Sequence, residues 1–155
     1  MQYIEHLSKD RRLKKLLNDE SFTLKRKKNI CIYLCASIMS QQLSTKVATV
    51  IYGRFLNLYG GKEPTPQQIL DTPFESWRVI GLSNAKANYV KNVARFEIDY
   101  GMDHKRLHKM SNEEVIEYLT QIKGVGRWTV EMLLMFALGR ADVFAIDDLG
   151  IQNAM

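Results

Sequence analysis

Two adjacent carboxylates, Asp147 and Asp148, follow a Gly-x-Gly step at Gly124, Val125 and Gly126, with Trp128 and Met132 between them. Glycines two apart remove the side chains that keep another backbone at a distance, and they permit positive φ in a turn. The amides of Gly124, Gly126 and Arg127 would then stand at the start of a helix, where unpaired N–H groups and the dipole favour a phosphate oxygen. A glycine-rich corner between two helices reads equally well from these residues alone. Asp148, just ahead of Leu149-Gly150-Ile151, reads as the N-cap or first-turn residue of a further helix. Local amides and the helix dipole would keep it ionised at neutral pH, which suits an electrostatic stabiliser or a base better than a general acid. Capping alone is the competing reading, and core packing beside Met132 and Met135 is the competing reading for Trp128.

The elements that must position these residues are helices. Ser111 with Glu114 three positions on is a capping box opening a helix with Val115, Ile116 and Leu119 on one face, expected to stop at Lys123-Gly124. A second helix is predicted from Arg127 to Leu138, ended by Gly139. Upstream, Asn29 to Ser40 is apolar or small almost throughout and reads as a helix buried on most sides. Ser44 should cap the next, with Val47, Val50, Ile51, Phe55 and Leu56 as its core stripe. Gln41 and Gln42 therefore fall at a helix–helix junction, where polar side chains can protrude.

Thr65-Pro66 and Thr72-Pro73 each read as an N-cap followed by proline at the first helical position. A longer helix after Ser83 carries Ala85, Ala87, Tyr89, Val90, Val93, Ala94 and Phe96, with Lys86 and Lys91 as surface charges and a phosphate contact as their alternative role. The first eighteen residues hold Ile4, Leu7, Leu13, Leu16 and Leu17 among basic side chains, and Asp10 could cap a short helix there. Lys25, Arg26, Lys27 and Lys28 form a solvent-facing basic cluster. No strand alternation or repeat is present, so the fold class expected is all-α.

The segment LTQIKGVGRWTVEMLLMFALGRADVFAIDDLGI resembles the helix-hairpin-helix signature, with its downstream Asp, of the base-excision DNA glycosylase superfamily, in particular the 3-methyladenine DNA glycosylase II branch. SIMSQQLSTKVA and WRVIGLSNAKANYVKNVA resemble two further segments of that family. The resemblance spans about residues 2 to 155 and implies a single helical bundle with its hairpin over 112–138. It implies that Gly124, Val125, Gly126 and Arg127 grip DNA and that Trp128 and Met132 line a base pocket. Asp148 becomes the catalytic carboxylate, and Gln42, with Gln41 beside it, fills the space left by an extruded base. A monovalent cation, Na+ or K+, would sit on the backbone carbonyls of Thr120, Ile122 and Val125; no other cofactor is required. Family members that also cut the strand carry a lysine nucleophile where this chain has Trp128, so a monofunctional enzyme leaving an abasic site is implied.

The function so implied is hydrolysis of the N-glycosidic bond of alkylated purines in duplex DNA. A noncatalytic DNA-binding module is the alternative, because the chain stops at Met155 whereas the family continues with further helices. Either a monomer or a partner covering that region is expected. With 46% hydrophobic and 25% charged residues the composition is that of a globular protein, and the formal charge of +5 favours an acidic partner. No apolar run spans a bilayer and no signal peptide is evident, which implies an intracellular protein, cytoplasmic in a bacterium or nuclear in a eukaryote. Cys31 and Cys35 lack further ligands for zinc or iron–sulfur binding, and His104 and His108 lack a third ligand.

Overall fold

Short-range capping chemistry delimits most of the helices in the computed structural model, which describes residues 2–15, 17 and 26–154. In chain order these are α1 (Gln2–Leu7), α2 (Arg11–Lys14), α3 (Ile30–Ser40), α4 (Thr45–Asn57), α5 (Pro66–Asp71) and α6 (Phe74–Val79). They continue with α7 (Asn84–Asp99), α8 (His104–His108), α9 (Asn112–Thr120), α10 (Arg127–Phe136) and α11 (Leu149–Ala154). Asp10, Ser44, Ser83 and Ser111 each accept a backbone N–H as N-caps, and Thr65 with Gln68 forms a full capping box. No strand occurs among the described residues, and none of their helices is long and apolar enough to cross a membrane.

The core forms around α3 and α7. α7 packs along α3, α5 and α6, while α3 also meets α4 and α10, and α9 pairs with α10 across the hairpin. Leu34, Cys35 and Ile38 of α3 and Val90, Val93 and Ala94 of α7 have no exposed surface. Each large aliphatic side chain so buried contributes roughly 1.5–3 kcal/mol. Phe55 stacks on Trp77 with centroids 6.0 Å apart, sealing α4 against α6.

Several expectations are corrected. Val47 and Val50 are exposed by 44% and 47% rather than buried, because α4 meets the bundle only along the Ile51–Phe55 edge. Thr72 does not cap α6: Pro73 takes that place without a side-chain bond, and the Thr72 hydroxyl donates to the Gln68 carbonyl while pairing with Tyr59. Ala85 is exposed. α9 ends at Thr120, ahead of Lys123-Gly124, and α10 ends at Phe136, where the Leu138 N–H folds back onto the Leu133 carbonyl. Leu16 and Lys25 lie outside the described residues.

Candidate active site

The tip of the hairpin is set by two glycines that do different work. Gly124 has φ +106°, and a Cβ there would lie 2.3 Å from Cγ of Tyr89 on α7. Only glycine fits, and the bare backbone docks directly on the tyrosine ring. Asn92, three residues along α7, donates to the Lys123 carbonyl at 3.1 Å and holds the same turn. Gly126 has φ −96°, N-caps α10 without a side-chain bond, and meets nothing within 4 Å at its Cβ position. Its surroundings are open, and the first amides of α10 face outward beside it with the positive end of the helix dipole behind them. A Gly126→Ala variant is therefore expected to lose only about 1 kcal/mol of stability. Its affinity for duplex DNA is expected to fall roughly tenfold, measured by titration at fixed salt, because a methyl group there would crowd any anion drawn to the first amides of α10.

What Arg127 leaves available to a ligand is its backbone N–H at the start of α10. Its guanidinium is drawn to the other side, bonded to Glu113 at 2.5 and 3.0 Å and to Glu131 at 3.1 Å. Glu131 is buried, and its second carboxylate oxygen has no partner. Thr120 and Ile122 bracket the C-terminal end of α9, where carbonyls lack helical partners and carry the negative end of the dipole. The Ile122 carbonyl accepts the Val125 N–H at 2.9 Å and retains a second lone pair. Oxygen donors of this kind fit a hard monovalent cation. Among the described residues no cluster of His, Cys, Asp or Glu could hold a metal ion, Cys31 and Cys35 are buried thiols, and His104 bonds the Lys27 carbonyl.

In the first turn of α10, Trp128 is 42% exposed, so it is not a core residue. Its indole N–H donates to Oδ2 of Asp148 at 2.8 Å, while Oδ1 accepts the Ile151 N–H at 3.1 Å. Asp148 is thus the N-cap of α11. The Trp128 bond first, and then the α11 amides, hold its carboxyl below the ordinary aspartate range. The segment leading to it is anchored by Arg140, which donates to Asn112 at 2.6 Å and to the Leu107 and Met110 carbonyls at 2.8 Å, and by buried Ala145. Asp147 is exposed.

Trp128 stands between two clefts. One, of about 450 Å³, is walled by Trp128 and Met132 of α10, Tyr33, Ser37 and Ser40 of α3, and Tyr52 of α4. The other, of about 670 Å³, runs from Trp128 past Tyr89 and Lys86 to Gln41 and Gln42. Gln42 is exposed and adopts φ +59°, the one positive φ outside glycine among the described residues. The fold therefore gathers Trp128, Met132, Asp148, Gln41, Gln42 and the hairpin on one side of the bundle. Tyr33, Ser37, Ser40 and Tyr52 were not singled out by sequence, although the polar exceptions in apolar α3 recur at 33, 37 and 40, a single helical face. Lys86 and Lys91 are also corrected from surface charges: their ammonium groups bind carbonyls at the ends of α3 and α5.

Residues 35–155 match the family described as HhH-GPD superfamily base excision DNA repair protein. The chain belongs to that superfamily, and its helix-hairpin-helix fold is that of the glycosylases within it. It is 47% identical over 122 residues to DNA-3-methyladenine glycosylase 1 of Schizosaccharomyces pombe, a match covering 77% of this chain and 54% of that protein. It is 36% identical over 166 residues to DNA-3-methyladenine glycosylase of Saccharomyces cerevisiae, covering 96% of this chain and 56% of that one. This chain therefore spans about half the length of these curated relatives. Among solved structures, the S. pombe 3-methyladenine DNA glycosylase in complex with abasic DNA superposes with a TM-score of 0.87 at 40% identity, covering 99% of this chain and 78% of that chain.

Proposed function

We propose that the chain acts as a monofunctional DNA glycosylase, hydrolysing the N-glycosidic bond of alkylated purines in duplex DNA and leaving an abasic site. The observation that carries this reading is the Trp128–Asp148 hydrogen bond at the mouth of an aromatic-walled cleft, beside a hairpin in which Gly126 leaves open space at the start of α10. The amides of Gly124, Gly126 and Arg127 hold a phosphate, and the carbonyls of Thr120, Ile122 and Val125 would hold a Na+ or K+ ion, which would supply positive charge to offset it. Gln42 fills the vacated stack as the nucleotide rotates out, since unstacking costs a few kcal/mol that an inserted side chain offsets in part. The extruded base lies against Trp128 and Met132.

A purine alkylated on a ring nitrogen is cationic, so it is attracted to the indole face and leaves without being protonated. As the C1′–N bond breaks, its electron pair goes to the departing base, which becomes neutral, and positive charge develops on the sugar. Asp148, held ionised, stabilises that charge and orients the water that adds to C1′. Trp128 in place of a lysine leaves no amine at that position to form a Schiff base, so borohydride should trap no covalent complex. The deciding experiment measures free 3-methyladenine and 7-methylguanine released from methylated duplex DNA; DNA binding without release would sink the catalytic reading.

That outcome would favour a second reading, a DNA-binding module without excision. The exposure of Phe144, Ile146 and Leu149, each above 60%, supports it, because the segment that carries Asp148 leaves its apolar side chains in water.

The Trp128–Asp148 bond also predicts a pH effect. Its N–H is the first cause of the lowered Asp148 pKa, so Trp128→Phe should raise that pKa toward the ordinary aspartate value. An activity that needs the carboxylate would then begin to fail at higher pH in the variant than in the wild type. A carbon-13 NMR titration of the Asp148 carboxyl in both proteins would measure the shift directly.

A further inference from the structure

Lys86 is the N3 residue of α7, on the cleft wall behind the turn that carries Gln42. Its ammonium donates to the Met39 carbonyl at 3.0 Å and to the Gln41 carbonyl at 2.7 Å. Both acceptors lie at the C-terminal end of α3, where carbonyls have no helical partner and a cation is favoured by the dipole. The side chain is half-buried, and it forms no salt bridge with a carboxylate among the described residues. Burial pushes its pKa down from the usual lysine value, so the position disfavours the charge that these carbonyls then hold.

The bonded carbonyls border an uncommon backbone. Gln41 leaves the helix with φ −50° and ψ 132°, and Gln42 follows at φ +59° before Ser44 caps α4. A left-handed glutamine costs about 1 kcal/mol or more and persists only where its surroundings hold it. The Leu43 N–H bonds the Ser40 carbonyl at 3.1 Å on the far side, so the turn is fastened behind Gln42 by backbone and ahead of it by Lys86.

We propose that Lys86 is the positioning residue for Gln42: by tying the carbonyls of Met39 and Gln41 to α7, it fixes the left-handed turn from which Gln42 enters the DNA stack. This rests on the reading of Gln42 as the group that fills the extrusion gap. Lys86 thus acts through Gln42 and not on phosphate, and it governs the step after DNA is bound at the hairpin.

The test uses a duplex containing a tetrahydrofuran abasic analogue with 2-aminopurine opposite, whose fluorescence rises when the base is unstacked. The chain, Lys86→Met, Lys86→Arg, Gln42→Ala and the Lys86→Met/Gln42→Ala pair are compared at saturating protein. Alongside, their affinity for undamaged duplex is measured across a salt series. Lys86→Met and Gln42→Ala are each expected to lose more than about half of the fluorescence rise, and the double variant no more than Gln42→Ala alone, because coupled residues are non-additive. Lys86→Arg should keep most of the signal, and undamaged-duplex affinity should change less than about twofold in Lys86→Met and Lys86→Arg.

If Gln42→Ala leaves the signal intact, the gap-filling reading fails and the proposal fails with it. A signal lost in Gln42→Ala but retained in Lys86→Met overturns the role of Lys86 alone. Weaker binding of undamaged duplex by Lys86→Met, with a salt slope reduced by about one, makes Lys86 a phosphate contact instead and likewise overturns the proposal.

Discussion

Replacing Asp148 by asparagine is expected to slow release of alkylated purine from methylated duplex DNA by about 100-fold or more, with binding of undamaged DNA unchanged. The two halves of this expectation have separate causes. Asparagine keeps a side-chain oxygen able to accept the Ile151 N–H, so α11 remains capped and the segment from Arg140 onward keeps its anchor. What is lost is the negative charge and the acceptor for the Trp128 indole N–H, because the amide nitrogen that replaces Oδ2 cannot accept. A neutral amide neither stabilises an oxocarbenium-like sugar nor draws the proton of an attacking water. Single-turnover release at equal DNA occupancy checks the first half, and titration with undamaged duplex checks the second. Release undiminished in the variant would remove Asp148 from the chemistry and leave it as a cap.

The second large effect is on stability. Gly124→Ala is expected to destabilise the protein by roughly 2–5 kcal/mol, combining backbone strain at positive φ with overpacking of a closed site. The added Cβ would lie 2.3 Å from the Tyr89 ring, and the tyrosine cannot yield without lifting the hairpin from α7. Tyr89→Ala in the same chain removes the ring atoms at 2.3 and 2.7 Å but keeps Cβ at 2.5 Å, and it leaves the φ strain, so it should recover only a small part of the loss. Urea unfolding of the two single variants and the double variant would separate these contributions. Gly126, two residues on, predicts the opposite balance, with stability nearly kept and DNA affinity reduced. A pair of glycines that look alike in sequence is thus divided between folding and recognition.

Much of the helical framework was legible because its signals act over three or four residues. Ser111 with Glu114, Thr65 with Pro66, and the serines at 44 and 83 each announce a helix start from within one turn, and each does so in the fold. Val47 and Val50 were misread because periodicity shows which residues share a face and cannot show how much of that face a neighbour covers. Trp128 and Asp148 were assigned roles by resemblance; that the indole N–H bonds the carboxylate is a contact across twenty residues and has no local signature. Lys86 was hidden more deeply, since its acceptors are backbone carbonyls 47 and 45 residues away, atoms that every sequence possesses. Tyr33 and Tyr52 emerge as cleft walls only once α3 and α4 are seen side by side.

The short α11 has no buried residue, whereas α3 and α7 hold much of the core. Local stability should differ accordingly, and amide hydrogen exchange would read that difference. The amides of Ile151 and Gln152, which bond to Asp148, are expected to exchange orders of magnitude faster than those of Val90 or Leu34. The chemistry would then depend on a weakly protected helix while recognition rests on a hairpin whose helices, α9 and α10, hold buried residues. Brief opening of α11 would withdraw the carboxylate and leave the hairpin intact, so the protein could search DNA with its reactive group intermittently disengaged.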